Sequence, residues 1–117
     1  MNQKKTVAKK KKGGIPDAVK VQVEEIIENF NRTVFKDGRY RYEAKYRGNF
    51  LYLGRREFGK SGPICRLKYT GQMDDWEFAI YKYSREKYDP NEWWFPGADF
   101  VDGTVEGAMK AGLEAYP

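Results

Sequence analysis

Residues 39–58 read RYRYEAKYRGNFLYLGRREF. From Arg39 to Arg47 apolar and charged side chains alternate strictly: Tyr40, Tyr42, Ala44 and Tyr46 fall on one side, and Arg39, Arg41, Glu43, Lys45 and Arg47 on the other. A period of two is the mark of a half-buried strand. Gly48-Asn49 is a two-residue hairpin signal, because glycine supplies the positive φ of a type I′ or II′ turn, and Phe50–Phe58 returns as the partner strand. A two-residue loop sets Arg47 opposite Phe50, and the rest of the register follows. Leu51 and Leu53 then join Tyr42, Ala44 and Tyr46 on one face. Phe50, Tyr52 and Arg56 join Arg41, Lys45 and Arg47 on the other.

Working outward, Pro16 and Asp17 suit a helix start. Val19, Val23, Ile26, Ile27, Phe30 and Val34 recur at helical spacing, which predicts a helix over residues 16–34 with Lys20, Glu24, Glu25 and Glu28 toward solvent. Lys36-Asp37-Gly38 ends it. After the first hairpin, residues 59–63 are expected to form a loop, 64–70 a third strand, 71–75 a turn and 76–85 a fourth strand with Trp76, Phe78 and Ile80 on one face. Trp93-Trp94-Phe95, bracketed by Pro90 and Pro96, reads as a short irregular or edge strand packed in the core or at an interface. Asp102-Gly103-Thr104 offers an N-cap for a second helix with Val105, Ala108, Met109, Gly112, Leu113 and Tyr116 as its stripe. Gly107 and Gly112 weaken that helix intrinsically, so close packing on the sheet is their expected reason. The fold expected is a single α+β domain over residues 15–117: an antiparallel meander of four or five strands (α-β-β-β-β-α), with the first and last helices on one face.

Composition narrows the chemistry. The 117 residues contain no His and one Cys, which removes His-based triads, His/Cys zinc sites and intrachain disulfides. Cys65 reads as a small buried hydrophobe and, being unpaired, suits a reducing cytoplasm. No apolar run approaches the length of a membrane span, and the basic N-terminus is not followed by the apolar stretch of a signal peptide. No metal site, cofactor or catalytic centre is expected. Asp74, Asp75, Asp89, Glu92, Asp99 and Asp102 fit no calcium loop and read as turn formers.

The net charge of +5 is unevenly spread. Residues 1–14 hold six lysines, Lys4, Lys5, Lys9, Lys10, Lys11 and Lys12, and no acid, and read as a disordered basic tail. Residues 32–69 hold 11 basic and 3 acidic side chains, whereas residues 70–117 hold 4 basic and 10 acidic. On the second face of the hairpin, Arg41, Lys45, Arg47 and Arg56 interleave with Phe50 and Tyr52. Cations neutralise phosphates and rings stack on bases, so this face, joined to Lys9, Lys10, Lys11 and Lys12, points to non-catalytic, low-specificity binding of DNA or RNA. A rival reading packs Phe50, Tyr52 and the tryptophans against a protein partner or a second copy, leaving Arg and Lys as a solvated rim.

One motif match carries no weight. Gly54-Arg55-Arg56-Glu57-Phe58-Gly59-Lys60-Ser61 has the letters of a phosphate-binding P-loop, but that loop must open a helix, and Gly62-Pro63 followed by an alternating run argues for a strand.

At Gly62-Pro63-Ile64-Cys65-Arg66-Leu67-Lys68-Tyr69, then Trp76-Glu77-Phe78-Ala79-Ile80-Tyr81, Trp93 and Gly103-Thr104-Val105-Glu106-Gly107-Ala108, the chain resembles a family of small uncharacterised bacterial domains. The resemblance spans most of residues 16–110 and implies a leading helix, a strand meander and a closing helix, with no known activity. Phe95-Pro96-Gly97 with residues 102–108 is also similar to the end of HicB-type antitoxins, although the long leading helix and extra hairpin depart from that pattern.

Overall fold

The computed structural model describes residues 14–117. The chain runs α1 (Asp17–Val34), β1 (Tyr40–Arg47), β2 (Phe50–Glu57), β3 (Lys60–Lys68), β4 (Glu77–Lys82), β5 (Lys87–Asp89), a 3-10 turn (Ala98–Phe100) and α2 (Val105–Ala115). The five strands form one antiparallel sheet in sequence order. This is the expected α+β meander between two helices, with five strands. The expected disordered tail of residues 1–14 lies, apart from Gly14, outside the described residues.

The first hairpin has the register set by its turn, from Arg47 opposite Phe50 to Tyr40 opposite Glu57. Gly48 takes φ 59°. The second hairpin corrects the expected loop at residues 59–63. The turn is only Phe58-Gly59, both at positive φ (53° and 86°), and β3 starts at Lys60. Two consecutive positive φ values give the tight turn whose twist suits paired strands. The P-loop letters therefore fold as a turn and a strand, and no helix opens at Lys60. Pro63, which has no N–H for a ladder, is accommodated at an irregularity: Leu53 pairs with Cys65 and Gly54 with Pro63, so Ile64 is an extra residue on β3.

The fourth strand is shorter than its sequence pattern. It stops at Lys82, and residues 83–86 turn, with Glu86 at φ 55°, into the short edge strand β5. Trp93-Trp94-Phe95 forms no strand, so the expected edge strand at that position is replaced by β5. Trp94 is 94% exposed, which corrects the core half of the expectation of core or interface packing; Trp93, half exposed, and Phe95 both set their rings against Phe78, at 6.5 and 5.9 Å.

Both helices cover the same side of the sheet. Val19, Val23, Ile27 and Phe30 of α1 and Val105, Ala108, Met109 and Ala111 of α2 bury against Tyr42, Leu51, Leu53, Cys65, Leu67, Phe78 and Ile80. Tyr42 joins the layers: its ring meets Phe30 edge-on at 5.7 Å and its hydroxyl donates to the Met109 carbonyl at 2.7 Å. Burial pushes its pKa well above that of an ordinary phenol. The buried Asn31 of α1 does what a sixth strand would do for the β1 edge. Its amide donates to the Tyr42 carbonyl (3.1 Å) and its oxygen accepts from the Tyr42 N–H (2.8 Å). Thr104 caps α2, its hydroxyl accepting from Gly107 N–H at 2.9 Å.

Gly112 has the expected reason. A Cβ there would lie 2.5 Å from both Ile64 Cγ2 and the Tyr42 hydroxyl. Gly107 differs, because its tight neighbours are Asp102 and the Phe100 carbonyl in the preceding loop and not the sheet.

Candidate nucleic-acid interface

Strand alternation sends every second side chain to the side away from the helices. From β1 these are Arg41, Glu43, Lys45 and Arg47; from β2, Phe50, Tyr52, Gly54 and Arg56. Register carries the row onward: Tyr52 faces Arg66, Phe50 faces Lys68, and Arg66 faces Ala79. Tyr88 of β5 pairs with Tyr81 of β4. No described helix lies over this side.

The rings and cations form one connected surface. Arg66 stacks its guanidinium 4.6 Å from the Phe50 ring centre and 5.6 Å from that of Tyr88. Phe50 and Tyr52 are 6.2 Å apart, Tyr52 and Tyr88 5.3 Å, and Tyr88 and Tyr81 5.0 Å. Tyr52 and Tyr88 lean toward each other across two intervening strands, where Ala79 contributes only a methyl group. Partial burial in this cluster pushes the Tyr88 pKa up to about 12.

The predicted cations divide into two groups. Lys45, Arg47 and Lys68 are exposed and Arg66 is half-buried; among the described residues none of the four makes an ion pair. Arg41 reaches around the β1 edge to Glu28 of α1 at 2.8 Å. Arg56 Nε is 2.8 Å from Glu43 on the open face itself. The hydrogen bond from Arg56, helped by one from Ser61 Oγ at 3.0 Å, holds the Glu43 carboxyl below the usual carboxylate range. Arg41 and Arg56 are therefore partly neutralised, while Phe50, Tyr52, Lys45 and Arg47 are brought together with Arg66. Lys9, Lys10, Lys11 and Lys12 lie outside the described residues.

Sequence reasoning missed Arg66, Lys68, Tyr81, Tyr88 and Glu43. Arg66 and Lys68 were legible in principle, since they alternate with Cys65 and Leu67. Tyr88 was not, because its place depends on the turn at residues 83–86.

Cys65 is fully buried, and burial raises its thiol pKa far above the ordinary value, so it offers no thiolate. Among the described residues no group of three or more His, Cys, Asp or Glu could hold a metal ion, and no helix is long and apolar enough to cross a membrane. Comparison of the chain with protein-family models, with curated proteins and with solved structures finds no match in any of the three.

Proposed function

We propose that this protein binds single-stranded nucleic acid on the open face of its sheet, without catalysis and with low overall sequence specificity. One observation carries the reading: Phe50, Tyr52, Tyr81 and Tyr88 form a continuous aromatic row around Arg66 on a face that neither helix covers, with Lys45, Arg47 and Lys68 alongside. Rings accept unstacked bases, which a duplex does not offer, and the cations track the phosphates. The lysines of residues 1–14 add further sequence-independent contacts.

The test is fluorescence anisotropy with labelled single-stranded and duplex DNA and RNA across a range of salt. Single strands are expected to bind more tightly than duplexes. With four phosphates neutralised by the open face, log affinity falls against log salt with a slope of roughly −3, and the lysines of the N-terminal segment steepen it. Tyr52→Ala and Tyr88→Ala each cost about 1–3 kcal/mol of binding. No binding at low salt overturns the reading.

A second reading, a protein-interaction or oligomerisation module, is favoured by the exposed Trp93 and Trp94. Light scattering tests it: a stable dimer or higher oligomer that dissociates in Trp94→Ser supports it.

A further inference from the structure

The open face is interrupted near its centre. Gly54 has no side chain and Pro63 opposite it has a short one; Tyr52, Tyr88, Glu43, Lys45 and Ser61 stand around the gap, a cleft of about 180 Å3. A carboxylate is out of place on a surface that holds phosphates, because like charges repel. Glu43 is nevertheless fixed there from two neighbouring strands, by Arg56 Nε of β2 at 2.8 Å and Ser61 Oγ of β3 at 3.0 Å. Those donors keep it ionised, hence an acceptor only, and use about two of its roughly four lone-pair sites. The remaining sites can accept from a ligand in the cleft.

Resting on the reading of this face as a single-strand surface, we infer that the cleft takes one base of the bound strand and selects guanine, whose N1–H and N2 amine donate to the Glu43 carboxylate. Tyr52 and Tyr88 pack against the ring, and Lys45 supplies a donor for O6. Guanine alone among the common bases places two donors side by side on its Watson–Crick edge. Adenine and cytosine set an acceptor nitrogen beside their amino group, and uracil or thymine flanks its single N–H with two carbonyls. Each of those would turn a lone pair toward a carboxylate. The preference acts at one position of the strand, so the remaining contacts stay indifferent to sequence.

The experiment titrates the whole 117-residue chain against labelled single strands of one uridine-rich sequence carrying a central guanine, adenine, cytosine or inosine. Guanine is expected to bind roughly tenfold more tightly than adenine, as a two-donor contact to a base edge gives. Inosine, which lacks only the N2 amine, loses most of that advantage. Glu43→Gln abolishes the preference, so that the guanine and adenine strands then bind with equal affinity. The inosine arm changes only the nucleic acid, so it stands even where a variant folds poorly. Equal affinity for guanine, inosine and adenine strands overturns the guanine assignment and leaves the open-face reading in place. A guanine preference that persists in folded Glu43→Gln overturns the role given to Glu43. Absence of binding to every strand at low salt overturns the inference and the open-face reading together.

Discussion

At the scale of single residues, the most consequential polar side chain in the core is Asn31. Edge strands leave backbone groups unpaired, and one amide here satisfies both groups of Tyr42 at a buried position. Asn31→Leu keeps the approximate volume but leaves a buried N–H and a buried C=O without partners. The expected loss is about 2–4 kcal/mol of folding stability, read from urea unfolding. Hydropathy periodicity cannot reveal such a residue. Asn31 lies on the apolar stripe of α1, but its partner is 11 residues away on another element.

At the scale of elements, α2 is a helix whose packing outweighs its propensity. Substituting alanine for a helical glycine normally adds about 1 kcal/mol. At position 112 the added methyl would stand 2.5 Å from Ile64 Cγ2 and from the Tyr42 hydroxyl, both held in the core. Gly112→Ala is therefore expected to destabilise the fold by about 1–3 kcal/mol despite the gain in propensity, as a shift in the urea midpoint will show. The elements themselves were legible where a pattern was local. The helix of Val19 to Phe30, the alternation of residues 39–47 and the Gly48-Asn49 turn each depend on neighbours within a few positions. The second turn was misread because Phe58 adopts a positive φ that bulky residues rarely take, and because Gly62 and Pro63 look like loop residues when their strand partners are not in view. Strand β5 was hidden for a similar reason: residues 83–85 extend the expected fourth strand in composition, whereas residues 83–86 turn, with Glu86 at positive φ, and Lys87–Asp89 pairs back.

At the scale of the whole molecule, stability is bounded by pH on both sides. Burial, the largest cause for each, raises the pKa of Tyr42, Tyr46 and Tyr88 above the ordinary phenol value of 10.0. The folded state keeps these protons after the unfolded chain has lost them, so their contribution is complete below about pH 10 and declines as pH rises toward the folded values. Asp102 and Glu43 run the other way. A hydrogen bond from Thr104 and one from Arg56 respectively lower their pKa values, so their contribution is present above about pH 4 and lost as pH falls through the folded values. Thermal unfolding across pH should show a plateau between these limits, and tyrosinate absorbance should rise with the alkaline transition. What the sequence by itself determined is the local geometry: the elements with strong periodicity, the first hairpin's register, and hence which of Arg41, Lys45, Arg47, Phe50, Tyr52 and Arg56 share a face. Turn chemistry and a period of two are sufficient for that. Only the tertiary structure decided that both helices take the other face and leave this one open, that Arg41 and Arg56 are matched by Glu28 and Glu43, and that Tyr88 and Arg66 complete the row. Those outcomes depend on contacts between residues far apart in the chain: both faces of the first hairpin carry large rings, Tyr42 and Tyr46 on one and Phe50 and Tyr52 on the other, and the partners of each are supplied by the helices and the later strands.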